Sequence, residues 1–160
     1  MKFEGIHEKT LVIVKPDAIQ RGLLGEITSR FEKKGLKIVG LKMMRLDDAV
    51  LREHYAHIAD KPFFPGVSNF MQNSPVAVLC LEGLEVVEAV RLITGITKAR
   101  QAEAGSIRGD FAMSVGCNVI HASDSIENAK AEVARFFEEN EIFEYYKSEY
   151  EFVYMQDEKE

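Results

Sequence analysis

Asn118-Val119-Ile120-His121-Ala122-Ser123-Asp124-Ser125 is the stretch around which the fold is read. Its opening residues lean apolar and predict a short strand, and Ser-Asp-Ser then predicts a helix N-terminus. Asp124 is expected to cap that helix, with Glu127, three residues on, as its reciprocal partner. His121 therefore falls at the seam between strand and helix, where side chains commonly face a site rather than a core. An unperturbed imidazole has a pKa near ~6.5, so at neutral pH much of it is already nucleophilic. Taken alone, a histidine in such a place is more often a hydrogen-bonded structural residue. The rest of the chain decides between the two readings.

Downstream of the seam, Ile126, Ala129, Val133, Phe136 and Phe137 form one apolar stripe at helical spacing. At ~100° per residue, Glu132 falls about 40° from Phe136, on the edge of that stripe and aimed back at the sheet. Upstream, residues 96–116 have weak periodicity over a length at which loops are often functional. Near the head of the chain, residues 10–14 are a continuous apolar run, the pattern of a buried central strand, with Pro16 ending it and Lys15 at its mouth. Leu24, Ile27 and Phe31 predict a helix with Gly35 as its C-cap. Residues 36–46 read as a second strand with Val39, Leu41 and Met43 on one face. Asp47-Asp48 opens a helix carrying Leu51, Tyr55 and Ile58, a loop covers 61–66, and a short amphipathic piece ends near Ser74. Residues 75–81 are a buried-type strand, 84–94 a helix stopped by Gly95, and 151–155 alternate like a last edge strand. Strand–helix alternation alone suggests a doubly wound parallel sheet, although two helical pieces between the second and third strands sit poorly with it.

A chain of 160 residues is expected to form one domain with a real core, and 46% hydrophobic and 29% charged residues are ordinary for a globular protein. The start, Met1-Lys2-Phe3-Glu4-Gly5-Ile6-His7-Glu8-Lys9, has no apolar h-region, so no signal peptide is expected. No apolar run approaches the roughly 18 residues of a membrane helix. Cys80 and Cys117 offer neither a disulfide framework nor zinc spacing, and the expected location is cytoplasmic. A net charge of −6 argues against a nucleic-acid partner but leaves room for an anionic small molecule in a locally basic pocket. Residues 155–160 are expected to be a frayed, solvated tail.

Besides His121, four features could carry chemistry. Lys15 at a strand end could be a point charge for phosphate. Arg91 lies on a helix that is followed by Gly95-Ile96-Thr97. In Gly105-Ser106-Ile107-Arg108-Gly109-Asp110-Phe111 the glycines could let backbone approach a ligand, and Arg108 could fork onto phosphate oxygens. In Pro62-Phe63-Phe64-Pro65 one aromatic could stack on a base while at least one plugs the core. No Walker-type phosphate loop, dinucleotide glycine motif or serine elbow is present. His54 and His57 are three apart on a helix, which permits metal binding, but no carboxylate or third histidine completes a zinc set, so no protein-held metal is expected.

Together these residues resemble the nucleoside diphosphate kinase family from about residue 10 to residue 137. The carriers are Thr10-Leu11-Val12-Ile13-Val14-Lys15-Pro16-Asp17, Arg21-Gly22-Leu23-Leu24-Gly25-Glu26, His54-Tyr55, Lys61-Pro62-Phe63-Phe64, Arg91 with Gly95-x-Thr97, Ile107 to Phe111, and the His121 signature itself. The resemblance implies an α+β fold, a ferredoxin-like four-stranded antiparallel sheet (β-α-β-β-α-β) with helices on one face and a helical insertion over residues 47–74. That implication is preferred to the parallel sheet. It implies transfer of the terminal phosphoryl group from a nucleoside triphosphate such as ATP or GTP to a nucleoside diphosphate, in ping-pong fashion, with broad base specificity. His121 would be phosphorylated, with Ser123 and Glu132 supporting it. Lys15, Tyr55, Arg91, Thr97, Arg108 and Asn118 would contact phosphates or ribose, and Phe63 the base. Mg²⁺ would arrive on the nucleotide, and the protein would be a homo-oligomer, a hexamer or else a tetramer or dimer. The alternative is a nucleotide-binding regulatory or phosphohistidine-signalling module of the same fold. The chain departs from the family pattern at Lys98-Ala99 and Ala104, where the loop lacks two customary prolines and is expected to be more mobile. It departs also at Ala122 in place of glycine, and in having no tryptophan.

Overall fold

The apolar run at the head of the chain becomes β1 (Glu8–Val14), buried from Thr10 onward. A strand without a polar face belongs inside its sheet. β1 accordingly pairs with β3 (Val76–Gly83) on one side and β4 (Ile120–Ala122) on the other. β2 (Lys37–Met44) pairs with the far side of β3, so the order is β2-β3-β1-β4 and every pairing is antiparallel. This computed structural model describes residues 6–159. It corrects the parallel sheet inferred from alternation and shows the ferredoxin-like arrangement. Alternation misleads because each crossover here skips a position: β1 and β2 flank β3, and β3 and β4 flank β1.

Helices cover both faces of the sheet, not one. On the first, α2 (Leu24–Lys34) and α5 (Val86–Thr94) bring Ile27, Phe31, Val86 and Val90 against Val12, Val14 and Leu79. On the second, Leu11, Ile13, Val78 and Cys80 are covered by Leu51 of α3 (Asp48–His54), Phe64 and Met71 of α4 (Phe64–Gln72), and Val133 and Phe136 of α7 (Ile126–Phe136). Every residue of β3 is buried, which demands two apolar layers. Each large side chain so placed contributes roughly 1.5–3 kcal/mol of transfer free energy.

Local chemistry explains most element ends. Gly35 closes α2 at φ 99°, a conformation in which a Cβ would also press on Val153. Asp47 caps α3 by accepting from the Val50 amide at 2.9 Å. α7 is capped one residue later than expected. Ser125, not Asp124, accepts from the Asn128 amide at 3.1 Å, while the Asp124 carboxylate takes the Asn128 side chain at 2.5 Å. Ile126 therefore starts the helix in solvent, and Ala129, Val133 and Phe136 carry the stripe.

Three short helices were not expected: α1 (Pro16–Gln20), α6 (Ile107–Phe111) and α8 (Tyr150–Val153). Pro16 does end β1, but proline in a first helical turn followed by an acid is also a helix start. α8 replaces the expected edge strand at 151–155. Tyr150 and Tyr154, four apart, share a helical face with ring centroids 5.2 Å apart, and that spacing prevails over a five-residue alternation. Over the stretch expected to fray, Gln156–Glu158 forms a 3-10 turn and Lys159 Nζ lies 2.8 Å from Glu151. Residues 1–5, read for a signal peptide, and Glu160 lie outside the described residues. Among the described residues no helix is long and apolar enough to cross a membrane.

Candidate active site

Sheet register decides which way His121 faces. Directly opposed residues of an antiparallel pair share a face, and Ile13 opposes His121 while Val14 opposes Ile120. Ile13 belongs to the layer of α3, α4 and α7, so His121 points into that layer while Ile120 joins the opposite core. Glu132, on the sheetward edge of α7, meets it there. Its two carboxylate oxygens lie 3.1 and 3.2 Å from His121 Nε2. Fully buried Ser123 donates its hydroxyl to Glu132 Oε2 at 2.5 Å and accepts from the Leu11 amide at 3.3 Å. Burial alone would raise the Glu132 carboxyl, but hydrogen bonds and charge from His121 and the Ser123 hydroxyl outweigh it and hold the group below its ordinary value. An ionised carboxylate only accepts, so Nε2 carries the ring proton and Nδ1 is the nitrogen left with a lone pair.

The residues before His121 are held in a tight turn. Val119 sits at φ 66°, strained for a β-branched residue at a cost on the order of 1–3 kcal/mol. Ile120 N donates to Asn118 O at 2.8 Å across it, and the Val119 amide donates to Asp17 Oδ2 at 3.0 Å. The turn aims Asn118 at Lys15, whose Nζ donates to Asn118 Oδ1 and to Gly116 O, both at 2.8 Å. Asn118 Nδ2 in turn holds the carbonyls of Thr97 and Val115. Arg108 spends one N–H on each of Gly95, Asn118 and Ile120 carbonyls, at 3.0, 3.3 and 2.7 Å. Burial pushes Lys15 down to about 8, opposed by Asp17 and helped by Arg108. Burial and the Arg91 charge take Arg108 down to about 10. Burial lifts the Tyr55 phenol to about 12, aided by Glu132.

His121 and Glu132 open into a cleft of about 1170 Å³. Lys15, Arg91 and Arg108 make its walls basic, with Thr97 and Asn118 between them and Tyr55 and Phe63 at the side. Ser123 lies beneath the floor. The two phenylalanines divide as expected: Phe63 is 58% exposed in the cleft, and Phe64 is 1% exposed in the core. Gly109 is not a point of ligand approach. A Cβ there would collide with the Glu103 carbonyl, so its small size serves packing within the loop. That loop, though short of two prolines, is tied down by Arg21 to Phe111 O at 2.6 Å, Arg30 to Gly105 O at 2.9 Å and to Asp110 at 2.6 Å, and Arg100 to Met113 O at 2.9 Å.

Two participants escaped the sequence reading. Asp17 closes the first stretch that carries the resemblance, but nothing in the sequence gives it a role; an acid after Pro16 at a helix start is the available signal. In the sequence His54 stands out beside His57 as an incomplete metal pair and in the His54-Tyr55 resemblance, without a role of its own; the structure sets its ring against His121, centroids 4.5 Å apart and planes at 77°. The overlooked signal was Leu51, His54 and Ile58 on one helical stripe, which turns His54 inward. Burial and the neighbouring His121 push His54 down to about 3, so it is neutral near pH 7.

A basic cleft with a carboxylate-held histidine at its floor, on a ferredoxin-like sheet, defines a protein built for nucleotide phosphate chemistry. A family model described as nucleoside diphosphate kinase matches residues 8–142. Proteins called nucleoside diphosphate kinase from Parabacteroides distasonis and Pyrococcus horikoshii are 54% and 52% identical over 138 and 141 residues, each alignment covering 86% of this chain and 90% of the relative. The solved structure of a halophilic nucleoside diphosphate kinase from Halobacterium salinarum in complex with CDP superposes with a TM-score of 0.90 at 42% identity, covering 93% of this chain and 99% of that one. The chain belongs to the nucleoside diphosphate kinase family, phosphotransferases that move a terminal phosphoryl group from a nucleoside triphosphate to a nucleoside diphosphate.

Proposed function

We propose that His121 is the residue that carries the phosphoryl group, in a single catalytic domain. The observation that carries this is the pair of contacts between Glu132 and His121 Nε2, at 3.1 and 3.2 Å on the cleft floor. Fixing the proton on Nε2 leaves the Nδ1 lone pair to attack the γ-phosphorus. The P–N bond forms as the P–O bond to the leaving diphosphate breaks, and a second diphosphate reverses the step. Such transfer needs mostly positioning and charge stabilisation. Lys15, Arg91 and Arg108 supply the positive field, and Asn118 holds Lys15 in place. Thr97 and Tyr55 border phosphate and ribose, and Phe63 offers a face to any base. Mg²⁺ fits best as a passenger on the nucleotide, where it would neutralise phosphate charge, because the cleft presents cations rather than the paired carboxylates that hard oxygen coordination calls for.

Leu41 and Met43, 56% and 59% exposed on edge strand β2, support self-association into a homo-oligomer, a hexamer or else a tetramer or dimer. A monomer by light scattering at micromolar concentration contradicts that part. A cytoplasmic location accords with a soluble phosphate-transfer enzyme. Initial rates with Mg²⁺, varied ATP and several fixed GDP concentrations test the mechanism. Parallel double-reciprocal lines are expected, and intersecting lines or no turnover would overturn it.

A further inference from the structure

His54 of α3, Glu132 of α7 and His121 of β4 bring three metal-ligating atoms within 4.8 Å of one another. They come from three elements and meet only in the fold. His121 Nε2 and Glu132 Oε1 are 3.1 Å apart, close to the roughly 3.3 Å between two donors bonded at about 2.0–2.1 Å to one tetrahedral ion. His54 Nδ1 lies 3.9 Å from the same carboxylate oxygen, and the three donors span up to 4.8 Å, so the His54 ring must move inward to complete the set. The His54 side chain is 1% exposed, and its Nε2 has no hydrogen-bond partner among the described residues. The ring is therefore not fully held by its present contacts. Nδ1 accepts from Arg135 Nη1 at 3.2 Å, which marks it as the nitrogen bearing the lone pair. Arg135 has a retreat, because its Nε is 3.0 Å from Glu53.

We propose that His54, His121 and Glu132 form a binding site for one Zn²⁺ per chain, and that its occupancy inhibits phosphoryl transfer. Two imidazoles and one carboxylate with a fourth position open to the cleft suit zinc. Mg²⁺ prefers six oxygens and does not compete for such a set. On binding, the proton on His121 Nε2 leaves to solvent and the metal takes its place between nitrogen and carboxylate. Arg135 gives up His54 for Glu53. His121 then shares its electrons with a dication and attacks phosphorus poorly. The inhibitory half of the proposal rests on His121 as phosphoryl carrier, whereas the binding half does not.

The test is calorimetric titration of Zn²⁺ into the metal-stripped, nucleotide-free protein, with Co²⁺ as a visible probe of tetrahedral coordination. The wild type should bind one equivalent with proton release, and His54→Gln should bind at least roughly 10–100-fold more weakly, the loss that removing even an outer-sphere partner produces. His57→Gln, outside the triad, should bind like wild type. Glu132→Gln serves as a second ligand variant should His54→Gln lose its fold by circular dichroism. No binding at micromolar Zn²⁺, unchanged binding in a folded ligand variant, or equal weakening by His57→Gln overturns the site. Zinc inhibition of turnover should weaken in His54→Gln in step with affinity. Stoichiometric zinc binding without inhibition of an active enzyme would overturn the regulatory half alone, and absent turnover without zinc would instead strike the phosphoryl-carrier reading.

Discussion

Replacing Glu132 with Gln keeps the length of the side chain and removes its charge. In the native site the carboxylate oxygens accept from His121 Nε2–H at 3.1 and 3.2 Å and from the Ser123 hydroxyl at 2.5 Å. A hydrogen bond to a charged partner is worth roughly 1.5–3 kcal/mol and one between neutral groups roughly 0.5–1.5 kcal/mol. The charge develops its full value as His121 gains positive character on bonding to phosphorus. The difference of about 1–2 kcal/mol falls on the transition state and slows phosphorylation by about 5–30-fold. If the new amide turns its NH₂ toward the ring and forces the other tautomer, the loss rises toward ~100-fold. Nucleotide affinity should hold, because the carboxylate sits behind the histidine. Rapid mixing of the variant with Mg²⁺ and ATP, quenched into alkali and scored for phosphoprotein, reads the step directly. A rate equal to wild type would reduce Glu132 to a boundary residue with its stem on the core, and equal losses in binding and rate would point to a collapsed site.

Lys15, pushed down to about 8, is charged below that pH and neutral above it. kcat/KM should therefore fall as pH rises through about 8, and a profile flat through that range contradicts Lys15 as a phosphate ligand. For His54 the unfolded ring takes its proton near ~6.5 while the folded ring waits until about 3, so stability is lost as pH falls between them. Urea unfolding at pH 7 and 5 should show a drop roughly 2 kcal/mol larger for wild type than for His54→Gln, and equal drops refute the buried neutral ring. Stacking on Phe63 is worth roughly 1–3 kcal/mol without reading the base edge. All common triphosphates should thus serve within a modest range, Phe63→Ala should raise KM for each, and a preference of several orders of magnitude for one base is the contrary result.

Periodicity made individual elements legible, but their neighbours were not. The runs that became β1 and β3, the stripe of Ile27 and Phe31, and the cap at Asp47 depend on residues close in sequence. Strand direction depends on pairs such as Ile13 with His121, which no local pattern encodes. Family resemblance supplied that direction, though it put helices on one face where the buried β3 needs two. The approach of Glu132 to the seam could be worked out from helix phase, because eleven residues of one strand–helix unit separate it from His121. His54 could not be placed there without knowing that α3 folds across the same sheet face. α6 was hidden for another reason: Arg108 spends donors on carbonyls of Gly95, Asn118 and the first residue of β4, and such bonds order a segment whose own periodicity is weak.

The most direct test of the account is to incubate the protein with Mg²⁺ and γ-labelled ATP, remove nucleotide, and map the label. The prediction is one acid-labile, alkali-stable phosphoryl group on His121, discharged completely when GDP is added and absent from His121→Ala. Label on another residue, or substantial turnover by a well-folded His121→Ala protein, would contradict it.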